Sequence, residues 1–214
     1  MFTRALAMLA AAVLSWSAFA APDAAFEGHD YSRLSQPQPV ATGKKIEVLE
    51  FFWYRCPHCF QLEPALSKWL KTLPKDAQIR RLPAVFRPDW MPGAKLYYAL
   101  EEMRLLGRLH HKVFDAYHIE GLDLDNPEVL RTWLTKHRID QTKFNVAYNF
   151  GGPGKAKAGQ KLATAYGIQG VPAFIVDGKY ATSVSQAGSE ARLFEVLDQL
   201  IAKARAERKA KKSK

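Results

Sequence analysis

An almost unbroken apolar run, Ile46 to Trp53, leads within three residues into Cys56-Pro57-His58-Cys59. That junction limits the folds open to the chain. The segment Lys45 to Trp53 (KIEVLEFFW) is β-branched and aromatic, and near its end it is apolar on both alternating faces. It therefore reads as a central strand covered on both sides. Pro57 falls at the first turn of the following helix, where a missing N–H costs nothing. Phe60, Leu62, Leu66, Trp69 and Leu70 carry that helix, and Pro64 inside it predicts a kink.

Cys56 and Cys59 are the only cysteines among 214 residues. They are a disulfide with each other, half of a metal site, or two free thiols. A structural staple is set aside, because a bridge across so short a loop removes little chain entropy. A closed zinc site needs four ligands. His29, His110, His111, His118 and His137 show no ligand spacing tied to the pair, and there is no second CxxC. They read as surface or packing residues, and no metal is expected. Met91 and Met103 likewise lack the spacing a copper handler would use. A cysteine pair at a strand-to-helix junction is then a chemical site.

The first twenty residues indicate the compartment. Arg4 precedes an apolar run from Ala5 to Leu14, and Ala18-Phe19-Ala20 has the small-x-small pattern of a signal peptidase site. The run falls short of the roughly 20 residues a membrane span needs. The expected mature chain begins at Ala21, after cleavage between Ala20 and Ala21, and is soluble. The signal style and the absence of a lipobox cysteine point to the periplasm. In an oxidising compartment thiols tend to be paired, so a surviving CxxC is expected to cycle.

The net charge of +10 is uneven. Lys203 to Lys214 hold seven Lys/Arg against Glu207 alone, so the folded body carries only about +3. With no aromatic residues interleaved, the tail does not read as a nucleic-acid site. A frayed, solvated helix end is the expectation, with weak attraction to an anionic membrane a lesser one.

Residues 21–44 read as an extended leader. Gln78 to Phe86 forms a second strand, and Pro83 keeps it from being a long central one. From Pro92 to Tyr148 apolar residues recur at helical spacing, in the stripes Leu96, Leu100, Met103 and Leu109, Val113, Tyr117. Asn126-Pro127-Glu128 starts a further helix. Phe144 and Tyr148 mark a shorter one, which Gly151-Gly152-Pro153-Gly154 is expected to break before a helix from Lys155 to Tyr166. Ala173 to Val176 and Lys179 to Thr182 flank Asp177-Gly178 as a hairpin, and Ser189 caps the last helix. The order β-α-β, helices, β-β-α gives an α/β fold interrupted by a helical subdomain.

A dithiol catalyst needs one accessible, readily ionised thiol and a second to resolve the mixed disulfide. Cys56 precedes the helix, where free N–H groups and the dipole favour an anion. Cys59 lies one turn in and is expected to be buried. Cys56 is thus the reactive sulfur and Cys59 the resolving one. Pro57 removes one N–H donor, and His58 as a donor or cation favours the Cys56 thiolate. Stabilising that thiolate makes the disulfide a stronger oxidant.

KIEVLEFFWYRCPHC, with GIQGVPAFIVDGKY near the C-terminus, resembles the thioredoxin-fold oxidoreductases and, more narrowly, the DsbA family of periplasmic thiol:disulfide interchange proteins. The likeness runs from about Lys45 to Ala202. It implies a thioredoxin-like domain (45–88 and 155–202), an inserted helical subdomain (89–154) and a basic tail (203–214). It implies a cis peptide at Pro172, with the Val171 backbone open to a substrate chain. Val171 argues for an oxidase over an isomerase. Glu50 matches a buried acid beneath the site that tunes the thiols or moves a proton, whereas Glu47 takes the opposite strand face. Trp53 and Tyr54 line the substrate surface or simply pack. The resemblance further implies reduced, unfolded secreted polypeptides as substrates, re-oxidation by a quinone-linked membrane partner of the DsbB type, and a monomer with no bound cofactor. The rival readings are a reductase or isomerase, for which no segment supplies a dimerisation domain, and a redox-inert thiol-binding module.

Overall fold

Two strands precede the cysteine pair in the computed structural model, which describes residues 23–212. The expected cleavage site at Ala20–Ala21 lies outside the described residues. Strand β1 is short, Ser32–Arg33. Strand β2, Ile46–Phe52, is buried at every position. Helix α1, Pro57–Leu70, follows as one element that continues through Pro64. Strand β3 spans Ala77–Pro83, shorter than the sequence suggested. The sheet order is β1-β5-β4-β2-β3, with β4 Ala173–Val176 and β5 Tyr180–Thr182. Strand β3 lies at an edge, where the missing N–H of Pro83 is tolerated. It runs parallel to β2, and β4 runs antiparallel on the other side.

Both faces of β2 are covered. Ile46 and Val48 pack with Leu62 and Leu66 of α1 and with Leu193, Val196 and Leu197 of the last helix. Leu49 and Phe51 pack on the opposite face with Ala163 and Tyr166. Phe52 instead joins the core of the helical block. That block comprises α2 Met91–Glu102, α3 Leu106–His118, α4 Pro127–Lys136 and α5 Gln141–Val146, and α6 Gly152–Ala165 leads from it back to the sheet, where its Ala163 packs. Asn126 caps α4, its Oδ1 accepting from the N–H groups of Glu128 and Val129 at 2.9 and 3.3 Å. The architecture is the α/β fold with inserted helices that the order of sequence patterns predicts.

Three expectations need correction. Gly151-Gly152-Pro153-Gly154 does not break the helical run: a π-helical turn, Ala147–Gly151, passes directly into α6. Pro153 falls in the first turn of α6, where it is tolerated. Gly152 permits close approach to α2, since a Cβ there would lie 3.2 Å from the Cα of Lys95. Second, the leader is not merely extended: β1 pairs with β5, and Asp30 binds Arg192 at 2.7 Å. Third, the basic tail does not fray at Lys203. After a short helix α7, Val184–Ala187, helix α8 runs from Glu190 to Lys212. Arg205 is paired with Asp76 at 2.6 Å, and Arg208 with Asp177. No helix among the described residues is long and apolar enough to cross a membrane.

Candidate active site

Strand β2 ends at Phe52, and four residues later Cys56 caps α1. Cys56 has extended backbone angles, and its Sγ takes the N-cap position, accepting the Cys59 N–H at 3.3 Å. A thiolate here meets the unpaired amides and positive end of a 14-residue helix. Both cysteines are free thiols, so the form described is the dithiol. The thiol of Cys59 donates to Cys56, which lowers Cys56 to a pKa of about 6; burial opposes this, and the Cys59 and His58 amides and the His58 charge add to it. Burial drives Cys59 far above the ordinary thiol range, and its interaction with Cys56 adds to the shift. Near neutral pH one proton is therefore shared out unequally: Cys56 is the thiolate and Cys59 keeps the thiol.

Pro57 and His58 are exposed at the start of α1. Cys56 is more covered than a freely accessible thiol, only 6% exposed, with the Val171 carbonyl oxygen 3.4 Å from its Sγ. The Val171–Pro172 peptide is cis. Beside it opens a cleft of about 720 Å³ whose lining includes His58, Gln61, Gly170, Val171, Pro172 and Ser183. Trp53 is half-buried and stacks on Trp90 with ring centres 3.9 Å apart, whereas Tyr54 is fully packed.

Glu50 is 1% exposed. Parallel pairing sets it opposite Arg81 of β3, whose Nε donates to Glu50 Oε2 at 2.9 Å. Arg81 also reaches Glu63 of α1, 3.1 Å from Oε1. Two buried carboxylates thus share one guanidinium. Burial raises Glu50 to a pKa of about 7, with Arg81 opposing and the Glu63 charge adding. Burial also acts on Glu63, but the His110 hydrogen bond and the Arg81 charge outweigh it and hold Glu63 below the usual range. Glu63 is therefore the standing counter-ion of Arg81, and Glu50 the group that titrates.

His110, one of the histidines that read as surface or packing residues, is buried and also carries polar contacts. Burial lowers its pKa to about 4, so it is neutral. The Tyr54 hydroxyl donates to its Nδ1 at 2.8 Å, leaving Nε2–H toward Glu63 Oε1 at 3.5 Å. His111, half-exposed, meets Glu63 Oε2 at 3.2 Å. The sequence reading missed Glu63, Arg81 and His110. A signal existed for one of them: Glu63 stands among Cys59, Leu62 and Leu66, a single acid on the apolar face of α1.

The raised pKa of Glu50 has a consequence for stability. Between about pH 4.5 and 7 the folded chain binds more protons at Glu50 than the unfolded chain does, so this group's contribution falls as pH rises through that window. Glu50→Gln removes the loss. The variant is expected to be more stable than the parent at pH 8 by about 1 kcal/mol or more and to show a flatter dependence below pH 7. Urea unfolding across that range checks it; identical pH profiles for the two proteins would exclude a titrating Glu50.

A model of the DSBA-like thioredoxin domain matches residues 81–200. The thiol:disulfide interchange protein DsbA of Azotobacter vinelandii is 41% identical over 175 residues, 81% of this chain and 82% of that protein. DsbA of Pseudomonas aeruginosa is 40% identical over 201 residues, covering 94% and 95%. Its crystal structure superposes with a TM-score of 0.80, covering 85% of this chain and 95% of that one at 39% identity. The oxidoreductase DsbA1 of Neisseria meningitidis gives 0.76 at 34% identity, covering 86% and 96%.

Proposed function

The chain belongs to the DsbA family and is a protein thiol:disulfide oxidoreductase of the oxidase kind; on that premise we propose how its own residues perform the exchange. In the oxidised enzyme a substrate thiolate attacks Cys56 Sγ. The Cys56–Cys59 bond breaks, a substrate–Cys56 disulfide forms, and Cys59 leaves with the electron pair and takes a proton. A second substrate thiolate attacks the substrate sulfur and expels Cys56 as a thiolate. Substrate loses two electrons in forming its disulfide, and the enzyme is left as the dithiol. The observation that carries this reading is the Cys56 sulfur acting as helix N-cap, which stabilises it as a leaving group.

Pro57 leaves the first helical position without an amide, so the cap is received by later N–H groups. His58 adds charge beside the thiolate. Cys59 cannot remain ionised in its buried position, and Glu50, protonated below about pH 7, is the proton donor beneath it. The Val171 backbone next to Pro172 is where an extended substrate chain pairs. The dithiol carries the electrons, so no cofactor takes part.

The setting follows from the same reading. Residues 1–20 are removed between Ala20 and Ala21, and the mature monomer works in the periplasm on reduced secreted polypeptides. A quinone-linked membrane oxidase of the DsbB type restores its disulfide. The thioredoxin-like part (45–88 and 155–202) carries the chemistry, and the inserted helices (89–154) cover one side of it. Titration of the Cys56–Cys59 pair against glutathione tests the direction of electron flow. An oxidase gives a potential well above that of thioredoxin, which lies near about −270 mV; a value as reducing as thioredoxin's would reverse the assignment.

A further inference from the structure

The end of the sheet remote from Cys56 gathers charge that the chemistry does not use. Strand β2 runs toward Cys56, so the residues before Ile46 lie at its far end. Helix α1 starts at Cys56 and returns, bringing Lys71 and Lys75 to that same end. The Ile46 N–H donates to the Asp76 carbonyl at 2.8 Å, which fixes the α1–β3 loop beside the start of β2. The last turns of α8 arrive there as well: Arg205 binds Asp76, and Arg208 donates to the Lys44 carbonyl at 2.9 Å. Three separate stretches of chain thus form one pole.

Its acids are already engaged. Asp76 is taken by Arg205, Asp177 by Arg208 and Lys179, and Glu207 by Lys179 and the Tyr180 hydroxyl. The arginines turn inward and fasten α8 to the sheet. Lys44, Lys45, Lys71, Lys75, Lys209 and Lys211 are all exposed. Among the described residues none of these six has an ion pair. A shallow depression of about 580 Å³ lies among Lys44, Arg205, Lys209 and Lys211 and has no aromatic residue in its lining. Compact, hydrated ammonium groups spread over a surface suit a diffuse anionic plane rather than one bidentate ligand. Bases would want rings to stack on, and none is offered. A cluster of four to eight Lys/Arg is the electrostatic footprint that anionic lipid headgroups attract.

We propose that this pole docks on an anionic phospholipid bilayer, leaving Cys56 at the end of the molecule that faces away from the membrane. The attachment is electrostatic and reversible, because among the described residues no large exposed apolar side chain accompanies the lysines. The orientation serves exchange with dissolved substrates, and release frees the reactive end for a membrane partner.

The test is co-sedimentation of the purified protein with vesicles of phosphatidylcholine alone or with about 30% phosphatidylglycerol. Binding is expected only with phosphatidylglycerol, at about 20 mM salt, and it is lost at about 300 mM, where screening is short-ranged. The triple variant Lys75→Glu, Lys209→Glu, Lys211→Glu should bind about tenfold less or weaker while oxidising a soluble dithiol peptide at the parent rate. Absence of parental binding at low salt, or equal binding by the variant, overturns the proposal. So does displacement from the vesicles by single-stranded DNA at matched charge, which would make the pole a general polyanion site. Retained oxidase activity shows that the variant is folded, and failure of that activity in the parent would instead count against the proposed reaction.

Discussion

Cys59→Ser, given clients that carry a disulfide, accumulates mixed disulfides as its Cys56 thiolate attacks that bond and releases one client thiolate, and Cys56→Ser oxidises no client above the uncatalysed rate. The two outcomes differ because the helix treats the two sulfurs differently. Cys56 caps α1 and is held at a pKa of about 6, which supports its proposed role as the sulfur that is attacked and later expelled. Without it no mixed disulfide forms. Cys59 is 1% exposed and strongly held as a thiol. Its burial keeps it from clients, and in the proposed exchange it returns to Cys56. A serine there cannot break the Cys56–client bond from within the enzyme, so complexes supplied as client disulfides persist. Non-reducing gels with and without reductant read both results. Normal turnover by Cys59→Ser would reverse the roles.

Arg81→Met is expected to have the largest effect on stability. Among the described residues Arg81 is the one guanidinium that pairs with both Glu50 and Glu63, each almost fully buried. Removing one partner of a buried ion pair leaves charge without compensation and costs about 3–5 kcal/mol. The loss depends on pH with a definite sign. Arg81 lowers the folded pKa of both carboxyl groups, so without it both rise, Glu50 further above its unfolded value. At low pH, where both are protonated in either state, the penalty disappears; it grows as pH rises past the ordinary carboxylate range. Urea unfolding should therefore show a large deficit near pH 8 and a small one near pH 4. A deficit equal at both would mean that Arg81 acts by packing alone. Combining Arg81→Met with Glu50→Gln should recover part of the loss, since one stranded charge is gone.

What the sequence discloses of this protein is what is local. The strand before Cys56 is apolar on both faces, Pro57 marks a helix start, and Asp177-Gly178 adopts positive φ at both positions as a tight hairpin requires. Each can be read within ten residues. The buried network cannot. Glu50 meets Arg81 only because of the β2–β3 register, and Glu63 meets His110 only because α3 lies on α1; neither register nor packing is written in the neighbouring residues. The misreading of Gly151 to Gly154 has the same origin. Glycine and proline look like breakers until Lys95 of α2 is seen to need the space. The basic tail looks solvated in the sequence because its partners, Asp76 and Asp177, lie far back along the chain.

Helix α8 leaves the sheet at the end opposite Cys56, and this bears on how the protein can be handled. A tag, a fluorescent reporter or a resin linker joined beyond Lys212 departs from the side remote from the exchange chemistry. Immobilised this way, the protein presents its reactive cysteine outward, and a column of it should oxidise peptides passed over it. Attachment through the exposed start of α1, or near Val171, would block the entrance proposed for substrates.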